Sequence, residues 1–237
     1  MTAQSRLRWL SSIPVMIVLG MTAVSASIPA QAAFVGGAAI VDRFLAPERQ
    51  PLVSYRAYRR LTASTRGGRM QAAIEAWTTL DPVMGFRYEI TSEEGSGMIR
   101  RRVLIAALDA EQKAVRAADA ARMTLTRDNY DFLNVSDDRN NLTKVDIKPR
   151  RKHVMLIEGS VFLLGETADL VRLEGEPSQR PSFWTRNVHI VREYARLIGV
   201  RVPVAMSSTA DVLIVGSSSF SMTYKYTEIN GEMVGGS

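Results

Sequence analysis

The sequence predicts a mainly β protein of the α+β class, with about ten or eleven antiparallel strands and a pair of helices. Three observations support this prediction. Most segments between residues 52 and 231 alternate apolar and polar side chains with period two, as strands with one buried face do. Only two segments space their apolar residues as helices do. The connections between strands have hairpin length, which indicates antiparallel pairing rather than parallel strands joined by long crossovers.

The first predicted elements are a short helix and a three-stranded meander. Residues 38–49 place apolar side chains at helical spacing, and Pro47 limits the helix. Alternation then predicts strands, joined by Gly- and Pro-containing turns, over residues 52–63, 69–80 and 86–93. Arg59 shares the apolar side of the first of these strands, which is an unusual position for a charged residue.

The period changes in residues 93–123, which predict the longest helix of the protein. Ser96 is a plausible N-cap for it. Its apolar residues form two neighbouring stripes, one with Ile99, Val103, Ala106 and Ala110, the other with Leu104, Leu108 and Val115. The helix is therefore amphipathic, and its frequent alanines would allow it to lie close to a sheet.

The remaining chain returns to strands. We predict strands over residues 130–137, 142–152, two short stretches of 153–165 around "EGS", 169–176, 182–199, 200–216 and 218–231. The segment 182–199 has an ambiguous period, and its β-branched residues favour a strand over a helix. The last strand carries Phe220, Met222, Tyr224 and Tyr226 on one face. This apolar face either packs into a solid core or lines a cavity for a ligand.

The first 32 residues are typical of a secretory signal peptide. Arg6 and Arg8 precede an apolar run over 13–26, and "AQA" at 30–32 gives a cleavage site. We expect cleavage after Ala32 to leave residues 33–237 as a single domain in the periplasm, without a stable transmembrane anchor. An uncleaved N-terminal anchor is the alternative.

Composition narrows the function classes. The chain has no cysteine, which excludes thiol catalysis and Cys-based metal sites. Its net charge is +6, with dense basic runs at residues 100–102 and 150–152. One interpretation is that these runs contact anionic lipid headgroups or an acidic partner. The alternative is that they form an ordinary solvated face. Export argues against nucleic acid as a partner.

The sequence shows no catalytic constellation. Its two histidines, His153 and His189, lie outside any HExxH motif, and no GxSxG sequence surrounds a serine. We therefore expect no enzyme activity, no metal and no cofactor. A hydrolase that uses a serine or histidine of the sheet is the remaining enzymatic hypothesis.

Several strings of the sequence resemble the LolA/LolB family of periplasmic lipoprotein carriers and related outer-membrane lipoprotein-sorting proteins. They are "SYRAYRRLTAS" (54–64), "TTLDPVMGFRYEI" (78–90), "LVRLEG" (170–175), "SFWTRNVHIVREYARLIGVRVPVAMSSTADV" (182–212) and "FSMTYKYTEING" (220–231). The order of elements and the lack of cysteine agree with this resemblance. It implies an open antiparallel half-barrel sheet with helices covering its concave face.

The resemblance also implies a function. Such a protein would bind acyl chains of a lipid or lipoprotein in a hydrophobic cavity and sort them toward the outer membrane, with transport partners at the inner and outer membranes. The cavity would be lined by Met70, Ile74, Phe86, Tyr88, Ile90, Ile99, Val103, Phe220, Met222, Tyr224 and Tyr226. In the carriers an arginine holds the covering helix closed, and Arg59 is the candidate by position. A regulatory or sensor module of the same fold, without a transport role, is the alternative.

Overall fold

The computed structural model describes residues 35–116, 123–137, 141–180, 185–213 and 216–235. The predicted signal peptide, residues 1–32, lies outside these residues. Within them, no helix has the length and apolar character needed to cross a membrane.

An antiparallel sheet of 11 strands forms most of the described structure. The strands are β1 (Tyr55–Thr65), β2 (Met70–Asp81), β3 (Gly85–Gly95), β4 (Tyr130–Asp137), β5 (Leu142–Pro149), β6 (Ile157–Leu164), β7 (Leu170–Pro177), β8 (Thr185–Leu197), β9 (Val200–Val212), β10 (Gly216–Ile229) and β11 (Glu232–Met233). The helices are α1 (Val35–Leu45), α2 (Gly97–Ile99) and α3 (Ala106–Arg116), with the π-helical stretch Arg100–Ile105 joining α2 to α3.

The strand order explains why the sheet is open. It runs β3-β2-β1-β10-β9-β8-β7-β6-β5-β4, and the short β11 pairs with β10. The C-terminal strand β10 lies beside β1, so the N-terminal meander and the later strands form one sheet. Strands β3 and β4 are the two edges and do not pair with each other. The predicted open antiparallel sheet is confirmed.

Two local predictions in the strand region had opposite outcomes. The ambiguous segment 182–199 contains strand β8, as its β-branched residues predicted. The prediction of two short strands around "EGS" is wrong, because β6 runs without interruption through Glu158–Ser160. Gly159 lies directly opposite Gly175 of β7, so the two strands approach closely where a turn was expected.

The covering helix, as we name the continuous run from Gly97 to Arg116, packs on β1, β2 and β3. Its π-helical stretch adds a residue to the turn and rotates everything that follows. The predicted stripe through Ala106 and Ala110 is wrong, because Ala107 and Glu111 are buried instead, whereas Leu104 and Leu108 of the other predicted stripe are buried as expected. Ser96 stands at the N-cap as predicted, but its side chain makes no capping hydrogen bond.

Helix α1 contributes to the same hydrophobic core from another part of the concave face. Its Ile40, Val41 and Phe44 are buried in the cluster that also holds the apolar side of the covering helix. The Phe44 ring packs edge-on against Phe132 of β4, with ring centroids 6.2 Å apart. Both helices thus bury their apolar residues against one curved sheet, as the sequence predicted.

Candidate functional site

The predicted cavity residues come together on the concave face. They divide into buried residues (Ile74, Phe86, Ile99, Val103, Phe220, Met222 and Tyr226) and half-buried residues that pack against them (Met70, Tyr88, Ile90 and Tyr224). Strand pairing accounts for this: Leu61 of β1 lies between Ile74 of β2 and Met222 of β10. Period-two side chains on neighbouring strands then share one face.

Arg59 lies at the centre of this apolar face, where it forms an ion pair with the covering helix. Its Nη1 is 2.5 Å from Oε2 of Glu111, and its Nη2 donates to Oε1 of the same carboxylate at 3.0 Å. Nη2 also donates to the hydroxyl of Tyr55, which in turn donates to Glu111 at 3.3 Å. The bidentate geometry is the strongest form of arginine–carboxylate pairing.

Aromatic rings surround the guanidinium group. The Arg59 Cζ atom is 4.4 Å from the ring centroid of Tyr224, 5.1 Å from that of Phe86 and 5.6 Å from that of Tyr55. These distances are within the range of cation–π attraction. We call Tyr55, Arg59, Phe86, Glu111 and Tyr224 the Arg59 cluster.

The ion pair of the Arg59 cluster is almost fully removed from water. The side chains of Arg59 and Glu111 are 1% and 2% exposed. Burial lowers the pKa of the Arg59 guanidinium, but Glu111 together with Tyr55 and Tyr224 outweighs that effect and raises the pKa well above its usual value. The Nε of Arg59 is buried and has no hydrogen-bond acceptor among the described residues. The pair is therefore a costly way to join a helix to a sheet.

A second set of polar contacts joins the covering helix to edge strand β3. The hydroxyl of Tyr88 donates to Oδ1 of Asp109 at 2.7 Å, and Nε2 of Gln112 donates to the carbonyl oxygen of Phe86 at 3.1 Å. Burial of the ring and the hydrogen bond to Asp109 raise the pKa of Tyr88 to about 12. The middle of α3, from Asp109 to Gln112, is thus held to the sheet by hydrogen bonds and one ion pair.

Sequence reasoning missed Glu111 and the part that Tyr55 plays. Glu111 lies seven residues after Leu104 and three after Leu108, so helical spacing already places it beside the second predicted stripe, and only its charge kept it out of the apolar pattern. One signal was present: Arg59 stands on the apolar side of a strand, and a buried cation requires an acidic partner. Glu111, four residues after the buried Ala107, is the acidic residue on the buried face of α3.

The tyrosines of this region predict a fall in stability at high pH. Burial is the main cause that raises the pKa of Tyr224 to about 12, above the ~10 of an unfolded tyrosine. The folded chain then binds more protons than the unfolded one, so stability is fully present below pH ~10 and is lost as the pH rises toward 12. We expect the free energy of unfolding to fall by ~1.4 kcal/mol per pH unit for Tyr224 in that window.

Urea unfolding curves at several pH values from neutral to alkaline will measure this fall. The matched variant Tyr224→Phe removes the titrating hydroxyl and keeps the ring over Arg59. Its slope with pH should be shallower than that of the wild type. Equal slopes would show that Tyr224 ionises as readily in the folded chain as in the unfolded one.

Metal-binding geometry is not found in the part of the chain that the structure describes, where no three His, Asp or Glu residues are grouped to hold an ion. His153 uses its ring locally, because its Nδ1 accepts a hydrogen bond from the backbone N–H of Met155 at 3.1 Å. The chemistry that the Arg59 cluster offers is reversible ion pairing inside an apolar interface.

Comparisons with known proteins give similarity of fold only. No family model matches the sequence, and no curated protein is similar to it. A LolA superfamily protein from Nitrosomonas europaea is 9% identical, with a TM-score of 0.40, over 85% of this chain and 96% of the other. An outer membrane lipoprotein-sorting protein domain from Vibrio parahaemolyticus is 8% identical, with a TM-score of 0.38, over 80% and 92%.

A third solved structure, of a DUF1329 family protein from Desulfovibrio piger, is 10% identical, with a TM-score of 0.40, over 80% of this chain and 91% of the other. The names of the first two structures contain the family names that the sequence strings indicated. At such low identity the likeness concerns the arrangement of strands and helices and leaves the function to be argued from this chain's own residues.

Proposed function

We propose that the protein is a periplasmic carrier, a single domain of residues 33–237 after cleavage, which holds an acyl chain of a lipid or lipoprotein between the sheet and the covering helix. It would receive the chain at the inner membrane and deliver it toward the outer membrane through partners at each. One observation carries the proposal: the helix is joined to the middle of an apolar face by the buried Arg59–Glu111 pair.

A buried ion pair is a poor choice for a permanent interface. Well-packed apolar residues in its place are often as stable or more stable, since they require no desolvation of charge. An ion pair has a different advantage: on separation both groups regain their hydration, so the open state is not penalised at that point. The contact therefore suits a helix that leaves the sheet and returns to it.

The energies of closing the helix and of binding an acyl chain are comparable. Four buried apolar side chains of the covering helix, namely Ile99, Val103, Leu104 and Leu108, stabilise the closed state by roughly 6–12 kcal/mol. An acyl chain of about 14 methylene groups gains ~11 kcal/mol on burial. A bound chain can thus replace the helix contacts on the sheet, and neither state is so favoured that exchange would stop.

The side chains that the opened helix would expose suit a flexible ligand. Met70 and Met222 adapt to variable shapes, because methionine is unbranched and has three rotatable bonds in its side chain. Phe86, Tyr224 and Tyr226 supply flat apolar surface. The predicted cavity residues are accordingly proposed as the ligand-binding surface, and Arg59 as the residue that holds the helix closed.

The test tethers the helix and measures ligand uptake. The chain has no cysteine, so Tyr88→Cys with Asp109→Cys gives one reactive pair between β3 and α3. A reducible bifunctional crosslinker across this pair should abolish uptake of a fluorescent fatty acid, and reduction of the crosslinker should restore it. The same sample before and after reduction is its own control.

Native mass spectrometry of wild-type protein prepared without detergent supplies the second measurement. We expect an additional mass that corresponds to an acyl-chain lipid. A clean mass of the protein alone, together with no uptake of the fluorescent fatty acid by the untethered protein, would show that the apolar face is an ordinary core.

A further inference from the structure

One end of the sheet carries a group of arginines that the proposed ligand site does not use. Arg66 and Arg69 flank the β1–β2 turn, and Arg100 and Arg101 lie in the first turns of the covering helix. We call these four residues the basic end. Arg66, Arg69 and Arg101 are exposed, and Arg100 is partly exposed.

The fold brings the two pairs of arginines together. Strand β2 begins after the turn, and the carbonyl oxygen of its Gln71 accepts a hydrogen bond from the backbone N–H of Ser96 at 2.9 Å. The helix therefore starts beside the turn. Both helical guanidinium groups lie next to Gly97, within 3.7 Å of the position that a β-carbon would occupy there.

Backbone conformation favours a specific role for the turn. Arg66 has a φ angle of 55°, a left-handed conformation that asparagine or glycine adopts more readily than arginine does. Gly67 and Gly68 follow with positive φ angles, and a β-carbon on either would meet no atom within 4 Å. The arginine thus stands at a strained, open turn where other residues would fold more easily.

Acidic residues do not balance the basic end. Arg100 forms an ion pair with Glu93 of β3 at 2.8 Å. Glu94, the next residue on that strand, is the second acidic residue at this end of β3. Among the described residues, Arg66, Arg69 and Arg101 form no ion pair. Asp211, near the end of β9, is opposite Arg186 in the pairing of β8 with β9.

The other basic run of the sequence contrasts with this arrangement. Arg150 pairs with Asp131 at 2.9 Å, and Lys152 is 3.5 Å from Glu158. Its charges are largely compensated within the protein, as those of a solvated face commonly are. Of the two basic runs, the one at the basic end is therefore the less compensated.

We propose that the basic end docks on the surface of an anionic lipid bilayer. Guanidinium groups bind phosphate oxygens with two parallel hydrogen bonds, which suits them to phospholipid headgroups. Two of the four arginines belong to the covering helix, so docking acts directly on the element that covers the ligand site. The inference gives the proposed carrier a surface for docking on the membrane where it exchanges its ligand, and in that sense it rests on the proposed function.

Sedimentation with lipid vesicles tests the proposal. The wild type should bind vesicles of phosphatidylcholine mixed with phosphatidylglycerol, bind phosphatidylcholine vesicles far more weakly, and lose binding at high salt. Arg66→Asn with Arg69→Ser should lower the partition coefficient by about 25-fold, roughly fivefold for each arginine. The asparagine suits the left-handed backbone, so folding is preserved.

The matched control removes the same charge elsewhere. Arg150→Ser with Lys152→Ser should leave the partition coefficient within about twofold of the wild type, since those charges are already paired. An equal loss in both double variants would overturn the proposal in favour of attraction by net charge. Failure of the wild type to bind the anionic vesicles would also overturn the proposal. Binding of these arginines to an acidic protein would not rescue it.

Fatty-acid uptake from water separates this inference from the proposed function. The Arg66→Asn, Arg69→Ser variant should take up the fluorescent fatty acid as the wild type does, because its substitutions lie outside the apolar face. If the wild type takes up none, the carrier function is wrong, and the vesicle experiment still decides whether the basic end binds membranes.

Discussion

Replacing Glu111 with glutamine is expected to lower the free energy of unfolding by about 3–5 kcal/mol. The substitution leaves the Arg59 guanidinium 1% exposed and without the carboxylate that neutralises it. An uncompensated buried charge costs far more than the net value of the pair itself. Urea denaturation of the wild type and the variant at neutral pH will measure the difference from the two midpoints.

Two further variants make this prediction specific. Asp109→Asn, two residues earlier on α3, removes a carboxylate that is not part of the buried pair and should cost less than about 1 kcal/mol. Arg59→Met combined with Glu111→Leu removes both charges and should restore most of the lost stability. If the single Glu111→Gln variant is as stable as the wild type, Arg59 reaches water in solution and the helix is not closed over it.

Gly159→Ala is expected to cost about 3 kcal/mol of unfolding free energy. A β-carbon at Gly159 would lie 2.1 Å from the carbonyl oxygen of Glu174 and 2.6 Å from the Cα of Gly175. Both atoms belong to the backbone of the paired strand β7, so the strands have to separate to admit the methyl group. The loss of sheet hydrogen bonds around that point accounts for the large effect.

The control for this substitution is Gly165→Ala. A β-carbon there meets its nearest atom at 3.8 Å, which is an ordinary contact. Urea unfolding should therefore place Gly165→Ala within about 0.5 kcal/mol of the wild type. Similar losses for the two variants would show that the close approach of β6 and β7 at Gly159 does not set the cost, because the change from glycine to alanine in the unfolded chain favours folding.

The covering helix illustrates how far the sequence could predict the site. Apolar spacing located the helix and placed Ile99 and Val103 on its buried side, because the periodicity of a helix can be read directly from the amino-acid sequence. Beyond the π-helical stretch the same periodicity gave Ala106 and Ala110, whereas Ala107 and Glu111 are buried. The extra residue in the π-helical turn depends on how the helix packs against the sheet. The spacing of apolar residues gives no information about that packing.

Arg59 and the basic end show the same division. Alternation assigned Arg59 to the apolar face of its strand. Its partner Glu111 is 52 residues away, and only the position of the covering helix on the sheet identifies it. Arginines at 66 and 69 are distant in sequence from those at 100 and 101, and pairing of β2 with β3 brings them to one end. Contacts of this kind depend on strand register and helix position.

The sequence by itself determined that this chain forms an antiparallel sheet with an amphipathic helix, and which side chains of the strands face inward, because the side-chain period of a strand follows from backbone geometry. Only the tertiary structure decided that Glu111 meets Arg59 inside the apolar interface and that β10 pairs with β1. Those features arise from contacts between residues far apart in the chain, whose energies depend on the complete arrangement.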